Sequence, residues 1–284
     1  MDKEIKIECP AKINLSLDVI GRRSDGYHDL KMIMHTVNIC DYLEVGLRAD
    51  SAVSIVSDNR VIPCGEENTV YKAAKEFFAK LKRSCGVQIN IKKNIPIGAG
   101  MAGGSADAAG TLKALNLLTG NPFSDSELEK IGKEVGADVP FFIRGGCQLC
   151  EGIGDILTPL PEMKGVFLTV AKPDVMVSTP WVYKNLTLDE NSVHSDTPLL
   201  ISALEKGEYE KFSGNSSNTL ETVTAKKYPE INEYKNIMQK NGAFFAMMTG
   251  SGSAVFGLFR KKEQAERAAN CFKEKTDEVF VTGM

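Results

Sequence analysis

A chain of 284 residues, 43% of them hydrophobic and 25% charged, has the composition of a globular protein with one large domain or two ordinary ones. The formal net charge is −3, whereas a nucleic-acid-binding protein usually carries a broad positively charged surface. We therefore expect no nucleic acid partner. No apolar run suits a membrane span, and the charged first residues are unlike a signal peptide. Together with seven scattered cysteines, an odd number, these features predict a cytoplasmic protein with reduced thiols.

The first 60 residues are predicted to form strands. Between residues 11 and 19, apolar side chains alternate with Lys12, Asn14, Ser16 and Asp18, which is the period of a strand with one buried face. The sequence Arg-Ser-Asp-Gly-Tyr-His at 23–28 predicts a turn. Further strands are predicted at residues 32–39, 42–47, 53–56 and 87–91, and a helix capped by Asn68 precedes the last of them.

A glycine-rich loop at residues 96–105 opens the middle of the chain and leads into a helix that ends near Leu118. Ser124 is predicted to cap the next helix, which ends at Gly136. Short strands are predicted at residues 141–143 and 148–151. Cys147 and Cys150 are interpreted as structural, because the histidines that would complete a zinc site lie far away in sequence.

The last third of the chain mixes helices with strands in irregular order. The turn-rich residues 158–165 are our candidate boundary between a domain at 1–160 and a second at 161–284. The irregular order favours an α+β fold over a doubly wound sheet. Strands are predicted at 166–171, 243–248, 254–259 and 278–282, and helices at 179–185, 198–206, 218–225, 229–241 and from Lys262.

Four glycines in the loop at 96–105 predict an anion site. Gly98, Gly100, Gly103 and Gly104 let the backbone approach a ligand closely and adopt positive φ. The helix that starts near Ser105 adds free N–H groups and the positive end of its dipole. Phosphate is the usual occupant of such a cradle.

Two common glycine-rich motifs fit this loop poorly. In a Walker loop, Gly104 would occupy the position of the lysine that holds the β- and γ-phosphates. A dinucleotide fingerprint matches at Gly98, Gly100 and Gly103, but the required acidic residue after a second strand has no counterpart in the turn and helix start that follow. The loop therefore predicts a phosphate site of another class.

Residues 96–108 resemble the ATP-binding motif of the galactokinase–homoserine kinase–mevalonate kinase–phosphomevalonate kinase (GHMP) superfamily. Pro-Ala-Lys-Ile-Asn-Leu at 10–15 resembles its first motif, and Met-Thr-Gly-Ser-Gly-Ser-Ala at 248–254 resembles its third. The resemblance implies an N-terminal ribosomal-protein-like βα domain that binds ATP and a C-terminal ferredoxin-like domain, with the active site between them. It also implies a small-molecule kinase that uses ATP and Mg²⁺.

Residues 10–15, 23–28, 103–108 and 136–140 together resemble a member of the superfamily that phosphorylates a hydroxyl of a cytidine diphosphate compound, in the non-mevalonate route to isoprenoid precursors. Two alternatives stay open. One is a member that acts on mevalonate, phosphomevalonate or a sugar, and the other is a nucleotide-binding homologue without catalysis. Oligomeric state is left open.

The resemblance assigns roles to individual residues. Lys12 is expected to neutralise charge on the γ-phosphoryl group, and Asp138 to bind the alcohol and accept its proton. Asn14, Tyr27, His28 and Tyr183 are expected to bind the substrate, with Tyr27 stacked on cytosine and His28 bonded to its polar edge. Either Tyr183 or Trp181 would cover the other face of the base. The phosphates of ATP are expected along Pro96, Gly98, Ala99, Gly100, Met101, Ala102, Gly103, Gly104 and Ser105.

Three positions leave questions open. Ser105 is expected to cap the helix or to contact phosphate or metal, and Asp107 to complement the helix dipole. The sequence Asn-Thr-Leu-Glu at 218–221 has Thr219 where the family pattern has aspartate. With no clear acidic ligand, the site of Mg²⁺ is left unassigned, and ATP oxygens are expected to hold the metal.

Overall fold

The computed structural model describes residues 4–83, 85–189 and 192–284. The chain divides into two compact units, and it passes between them several times. The first unit contains the residues up to Ala11, Ile39–Ile95 and Ala102–Gly145, and the second contains Lys12–Asn38, Pro96–Met101 and Gly146–Met284. The predicted boundary at residue 160 stays a prediction.

Long strands and short helices build both units. The strands are β1 (Glu4–Arg22), β2 (His28–Arg48), β3 (Val53–Ser57), β4 (Gly86–Lys92), β5 (Cys147–Gly152), β6 (Ile156–Leu160), β7 (Phe167–Ala171), β8 (Phe245–Met248), β9 (Val255–Phe259) and β10 (Val279–Gly283). The helices are α1 (Thr69–Leu81), α2 (Gly103–Leu118), α3 (Asp125–Val135), α4 (Val139–Arg144), α5 (Thr179–Asn185), α6 (Thr197–Lys206), α7 (Glu221–Lys227), α8 (Glu230–Lys240) and α9 (Lys262–Asn270).

In the first unit, helices cover a small mixed sheet. Strand β4 pairs in parallel with β3 and antiparallel with the second half of β2. Helix α2 packs against α1, α3 and α4, and Phe77, Leu112, Leu115 and Phe141 are fully buried there. This packing fixes the first turn of α2, where the glycine loop ends.

In the second unit, the first half of β2 pairs with β5, and β5 pairs with β6. A separate antiparallel sheet has the order β10-β7-β9-β8. Along the chain, helices α5 to α8 lie between β7 and β8, and α9 lies between β9 and β10. This is the βαββαβ arrangement of a ferredoxin-like domain, with the strands in the order 4-1-3-2 across the sheet. Every residue of β8 and β9 is buried.

Most predicted elements are confirmed, but three predictions were wrong. Residues 141–143 lie in helix α4, whose first turn holds Pro140; a short apolar run does not by itself distinguish a buried strand from a helix. Residues 156–160 form strand β6 rather than the start of a turn-rich segment. The predicted strands at 32–39 and 42–47 are one continuous strand. In the part of the chain described here, no helix has the length and apolar character to span a bilayer.

Candidate active site

Strand β1 carries a row of buried polar side chains. The alternation at residues 11–19 predicted one exposed face, and this was wrong: the exposed fractions are 4% for Lys12, 0% for Asn14 and Ser16, and 1% for Asp18. Burying polar groups is costly unless each has a partner. Ser16 Oγ accepts from Ile33 N at 3.2 Å, and the other three join larger networks.

Lys12 belongs to a network that reaches the glycine turn after β8. Its ammonium donates to Asn14 Oδ1, and the same oxygen accepts from Gly250 N at 3.0 Å and Thr249 Oγ1 at 3.3 Å. Asn14 N donates to Thr249 Oγ1 at 3.0 Å. These bonds fix the direction of the Lys12 side chain, because the acceptor is itself held by the turn. The predicted contact between Asn14 and substrate stays a prediction.

The part of the glycine loop in the second unit lies against the same turn. Gly98 and Gly100 have φ of +65° and +72°, which favours glycine at both. A Cβ at Gly100 would lie 3.0 Å from the carbonyl carbon of Thr249, so only glycine fits this approach. Lys12 N donates to Met101 O at 3.2 Å. Three segments far apart in sequence, at 12–15, 96–101 and 248–254, therefore meet in this unit.

Residues 218–221 support this turn from the other side. Asn218 Nδ2 donates to Met248 O and Gly250 O, both at 2.8 Å. Thr219 Oγ1 donates to Leu17 O and accepts from Val19 N, both at 3.2 Å, so it joins this segment to β1. The threonine at the position where the family pattern has aspartate is thus fully engaged with backbone groups.

In the first unit, helix α2 begins at Gly103. Ala102 is the N-cap with φ of +56°, so the prediction that Ser105 is the cap was wrong: Ser105 is the third residue of the helix. Thr69 Oγ1 donates to Gly104 O at 2.8 Å and holds the first turn. Ser105 N donates to Ala102 O at 3.1 Å, whereas the N–H groups of Gly103 and Gly104 come too early in the helix to have an intrahelical acceptor, as an anion site requires.

Asp138 lies two residues after Gly136, which is next to this first turn. It is half-buried at the N-cap of α4 and makes no side-chain capping bond there. A Cβ at Gly136 would lie 4.0 Å from Ser105 Oγ, so the segment before Asp138 lies next to the start of α2. The structure thus brings together Ser105 and the segment that carries the predicted base.

The predicted cytosine-binding residues lie in the second unit. The rings of His28 and Tyr183 are 5.0 Å apart with an interplanar angle of 30°. Burial and the charge of Arg22 lower the pKa of His28, which favours the neutral ring. Tyr27 is 61% exposed in the turn after β1. The ring of Trp181 instead has the Lys227 ammonium 4.1 Å from its centroid, so Tyr183 is the aromatic residue of α5 that pairs with His28.

Arg23 holds the turn that presents Tyr27. Its guanidinium pairs with Asp25 at 3.1 Å and Asp29 at 2.9 Å. Asp25 Oδ1 also accepts from Tyr27 N at 3.0 Å. The turn was predicted from the sequence, but this ion pairing was not, although Arg23 with two nearby aspartates was a signal for it. In the described ranges, with residues 1–3, 84 and 190–191 outside them, no group of three His, Cys, Asp or Glu side chains is arranged to hold a metal ion.

Comparisons with known proteins agree with one another. The family model for the N-terminal domain of GHMP kinases matches residues 68–146, and that for the C-terminal domain matches residues 200–278. A 4-diphosphocytidyl-2-C-methyl-D-erythritol kinase from Acetivibrio thermocellus is 46% identical over 280 residues, 99% of each chain. An enzyme of the same name from Clostridium novyi is 46% identical over 272 residues, 96% of this chain and 97% of that one.

Solved structures with the same fold include a 4-(cytidine 5'-diphospho)-2C-methyl-D-erythritol kinase, with a TM-score of 0.83, 32% sequence identity and 98% of each chain covered. A homoserine kinase from Cytophaga hutchinsonii has a TM-score of 0.80 at 20% identity, with 100% of this chain and 96% of that one covered. At that identity the second likeness shows the fold alone.

Proposed function

The chain belongs to the GHMP kinases, and within them to the 4-diphosphocytidyl-2-C-methyl-D-erythritol kinases, and we infer from this membership that it transfers the γ-phosphoryl group of ATP to a hydroxyl of that compound. The reaction would be a step of the non-mevalonate route to isoprenoid precursors. The two-domain α+β fold and the kinase activity predicted from three sequence motifs are those of this family. We keep the cytoplasmic location and the 1–160 and 161–284 domains as parts of the proposal.

One observation carries the proposal most directly: Lys12 is buried and aimed by a network that also contacts the glycine loop. The network joins Lys12, Asn14 and Gly250, and Lys12 N bonds to the loop at Met101. A lysine on an ordinary exposed strand face would have no such partners. The loop backbone supplies N–H groups for the phosphates, and the Lys12 ammonium supplies the positive charge that a Walker lysine would otherwise bring.

Asp138 is the proposed general base. In the reaction, the substrate hydroxyl gives its proton to the Asp138 carboxylate while its oxygen bonds to the γ-phosphorus, and the bond from that phosphorus to the β-phosphate oxygen breaks to release ADP. The segment that leads into Asp138 supports this role, because its Gly136 lies next to the first turn of α2, which would bind phosphate oxygens. Asp138 makes no side-chain capping bond to α4.

The cytidine of the substrate is proposed to lie at His28 and Tyr183. A neutral imidazole has one donor and one acceptor nitrogen, which suits the amino group and ring nitrogen of cytosine. Tyr183 and the exposed Tyr27 would provide aromatic surface for the base. Mg²⁺ would neutralise phosphate charge when bound. Because the described residues contain no group of three His, Cys, Asp or Glu side chains arranged to hold a metal ion, we propose that ATP oxygens hold the metal.

A coupled assay for ADP release with four alcohols tests the proposal. The cytidyl substrate is expected to support turnover, whereas mevalonate, phosphomevalonate and galactose are not. Turnover with mevalonate but not with the cytidyl compound would show a different GHMP kinase. Binding of ATP without turnover of any of the four would favour a non-catalytic homologue.

A further inference from the structure

A buried cluster of charges lies under the first turn of α2. Lys93 Nζ donates to Asp107 Oδ2 at 2.7 Å and also pairs with Asp41. The three side chains are at most 5% exposed. A Cβ at Gly103 would lie 3.3 Å from Lys93 Nζ, so the ammonium is close to the residue at which the helix begins.

The two carboxylates of this cluster have different hydrogen-bond partners. Asp41 accepts from Lys93, and its Oδ1 also accepts from Asn94 N at 2.6 Å and Ile95 N at 2.8 Å, so both of its oxygens have donors. Asp107 Oδ1 is buried without a hydrogen-bond partner. Burial, together with the nearby charge of Asp41, raises the pKa of Asp107 to about 7 despite the attraction of Lys93.

The surroundings of Asp107 add little other charge. From β1, the Cys9 thiol faces the cluster, and burial raises its pKa well above the usual range, so it stays neutral. Lys113, further along α2, acts on Cys9 as well. Helix α1 offers the Thr69 hydroxyl at Gly104, which does not titrate. Burial works against the Lys93 ammonium, but the two carboxylates outweigh it and its pKa is raised.

We propose that Asp107 is a positioning residue for the phosphate loop: paired with Lys93 under Gly103, it sets the charge beneath the first turn of α2 and takes up a proton from solvent when a triphosphate binds there. The inference rests on the proposed function, since it requires ATP at this turn. With both carboxylates ionised the cluster has a charge of −1, which opposes an anion at the amides above. With Asp107 protonated the charge is zero and the opposition is removed.

The sign of the pH dependence follows from this exchange. The bound triphosphate favours the protonated carboxyl, and by linkage the protonated carboxyl favours the triphosphate. As pH rises through the pKa of Asp107, the free protein loses the proton that binding has to restore. The affinity for ATP is therefore expected to fall between pH 6 and pH 8, by up to about tenfold for each pH unit and proton.

Isothermal titration calorimetry with a non-hydrolysable ATP analogue measures this proton directly. At pH 7.0, in PIPES and in imidazole, the difference in apparent enthalpy gives the number of protons taken up per nucleotide. We expect Asp107→Asn to lower that number relative to wild type and to flatten the rise in the KM for ATP from pH 6 to 8. Asparagine keeps an acceptor for Lys93 but cannot titrate. The exposed Asp277→Asn is the matched control and should resemble wild type.

Each outcome decides the question. Asp107→Asn with the proton uptake and pH slope of wild type would overturn the positioning role while leaving the kinase assignment intact. If wild type binds no ATP analogue at all, the proposed function fails, and this inference fails with it. If Asp107→Asn does not fold, Lys93→Met is the alternative variant. Without the ammonium, Asp107 keeps its proton to higher pH, so the rise in the KM for ATP should occur at higher pH than in wild type. An unmoved rise would contradict the proposal.

Discussion

Replacing Gly100 by alanine is the sharpest test of how the glycine loop is held. Gly100 has φ of +72°, a conformation that costs a residue with a Cβ about 1 to 2 kcal/mol. The added Cβ would also lie 3.0 Å from Thr249 C and 3.2 Å from Gly252 N, with Thr249 O closer still. All of these atoms belong to backbone, which cannot rotate away as a side chain can.

The expected loss can be estimated from these contacts. Ordinary contact begins near 3.4 Å, so the loop and the turn at residues 249–252 have to separate. Forcing extra atoms into a packed region costs typically about 1 to 3 kcal/mol, to which the strain at φ is added. The separation would also move the loop relative to Lys12 N, which bonds to Met101 O. Since a displacement of about 1 Å can reduce activity about 100-fold, we expect kcat/KM for ATP to fall by roughly that factor.

Two other glycines provide matched controls. Gly98 also has positive φ, but its Cβ would meet only the flexible end of Met176, at 3.1 Å from Cε. Gly98→Ala should therefore suffer the strain without the backbone overlap, a loss of about tenfold or less. Gly21 in β1 has nothing within 4 Å of an added Cβ, so Gly21→Ala should behave as wild type.

Steady-state kinetics with varied ATP gives the loss of kcat/KM in each of the three variants, and thermal unfolding gives their loss of stability. We expect Gly100→Ala to lower kcat/KM for ATP far more than either of the other two substitutions. If Gly100→Ala retains activity within a few-fold of Gly98→Ala, then the loop does not depend on its close approach to the turn at residues 249–252.

Three further predictions concern other parts of the molecule. Asp138→Asn should lower kcat by about 10² to 10⁴ with the KM for ATP little changed, as rapid-quench measurement of product would show; a wild-type kcat would place the base elsewhere. Tyr183→Ala should raise the KM for the cytidyl substrate about tenfold, as a lost stacking contact does, whereas Trp181→Ala should not, and equal effects would remove the cytosine assignment. Burial lowers the pKa of His35, whose Nε2 accepts from Met163 N at 3.0 Å. Because the unfolded chain then binds more protons, stability should be lost as pH falls below about 6.5, and urea unfolding at pH 5.5 and 7.5 should show a smaller loss in His35→Gln.

Local signals predicted the helix ends well. Asn68 caps α1, with its side chain accepting from Val70 N at 2.8 Å, and Ser124 and Glu127 form a reciprocal capping box on α3. These contacts span two or three residues, so the sequence alone contains all their partners. The start of α2 was missed by two residues because Ala102, with no side-chain acceptor, is the cap.

Long-range contacts account for what was missed in the site. Lys12 and Asn14 were predicted as site residues on an exposed face, but they are buried against Thr249 and Gly250, more than 200 residues away. A pattern of period two shows that polar and apolar side chains lie on opposite faces of a strand. It does not indicate whether a distant segment of the chain covers the polar face. For the same reason Thr219 was interpreted as a missing carboxylate, whereas it joins two segments through backbone bonds.

The charge cluster under α2 did have a signal in the sequence, at Asp41. Residues 37, 39, 43 and 45 of β2 are apolar and buried, and Asp41 occupies the same face of the strand. A carboxylate at a core position requires donors or a cation, because an unpaired buried charge costs several kcal/mol or more. Strand β4 pairs with β2 opposite Tyr42 at Lys92, so the residue that follows this strand, Lys93, is the cation placed to meet it. Asp107 is the second carboxylate that pairs with the Lys93 ammonium. Two neighbouring carboxylates that share one cation cannot both ionise freely. Its assignment to the helix dipole, based on its distance from the helix start alone, overlooked that competition.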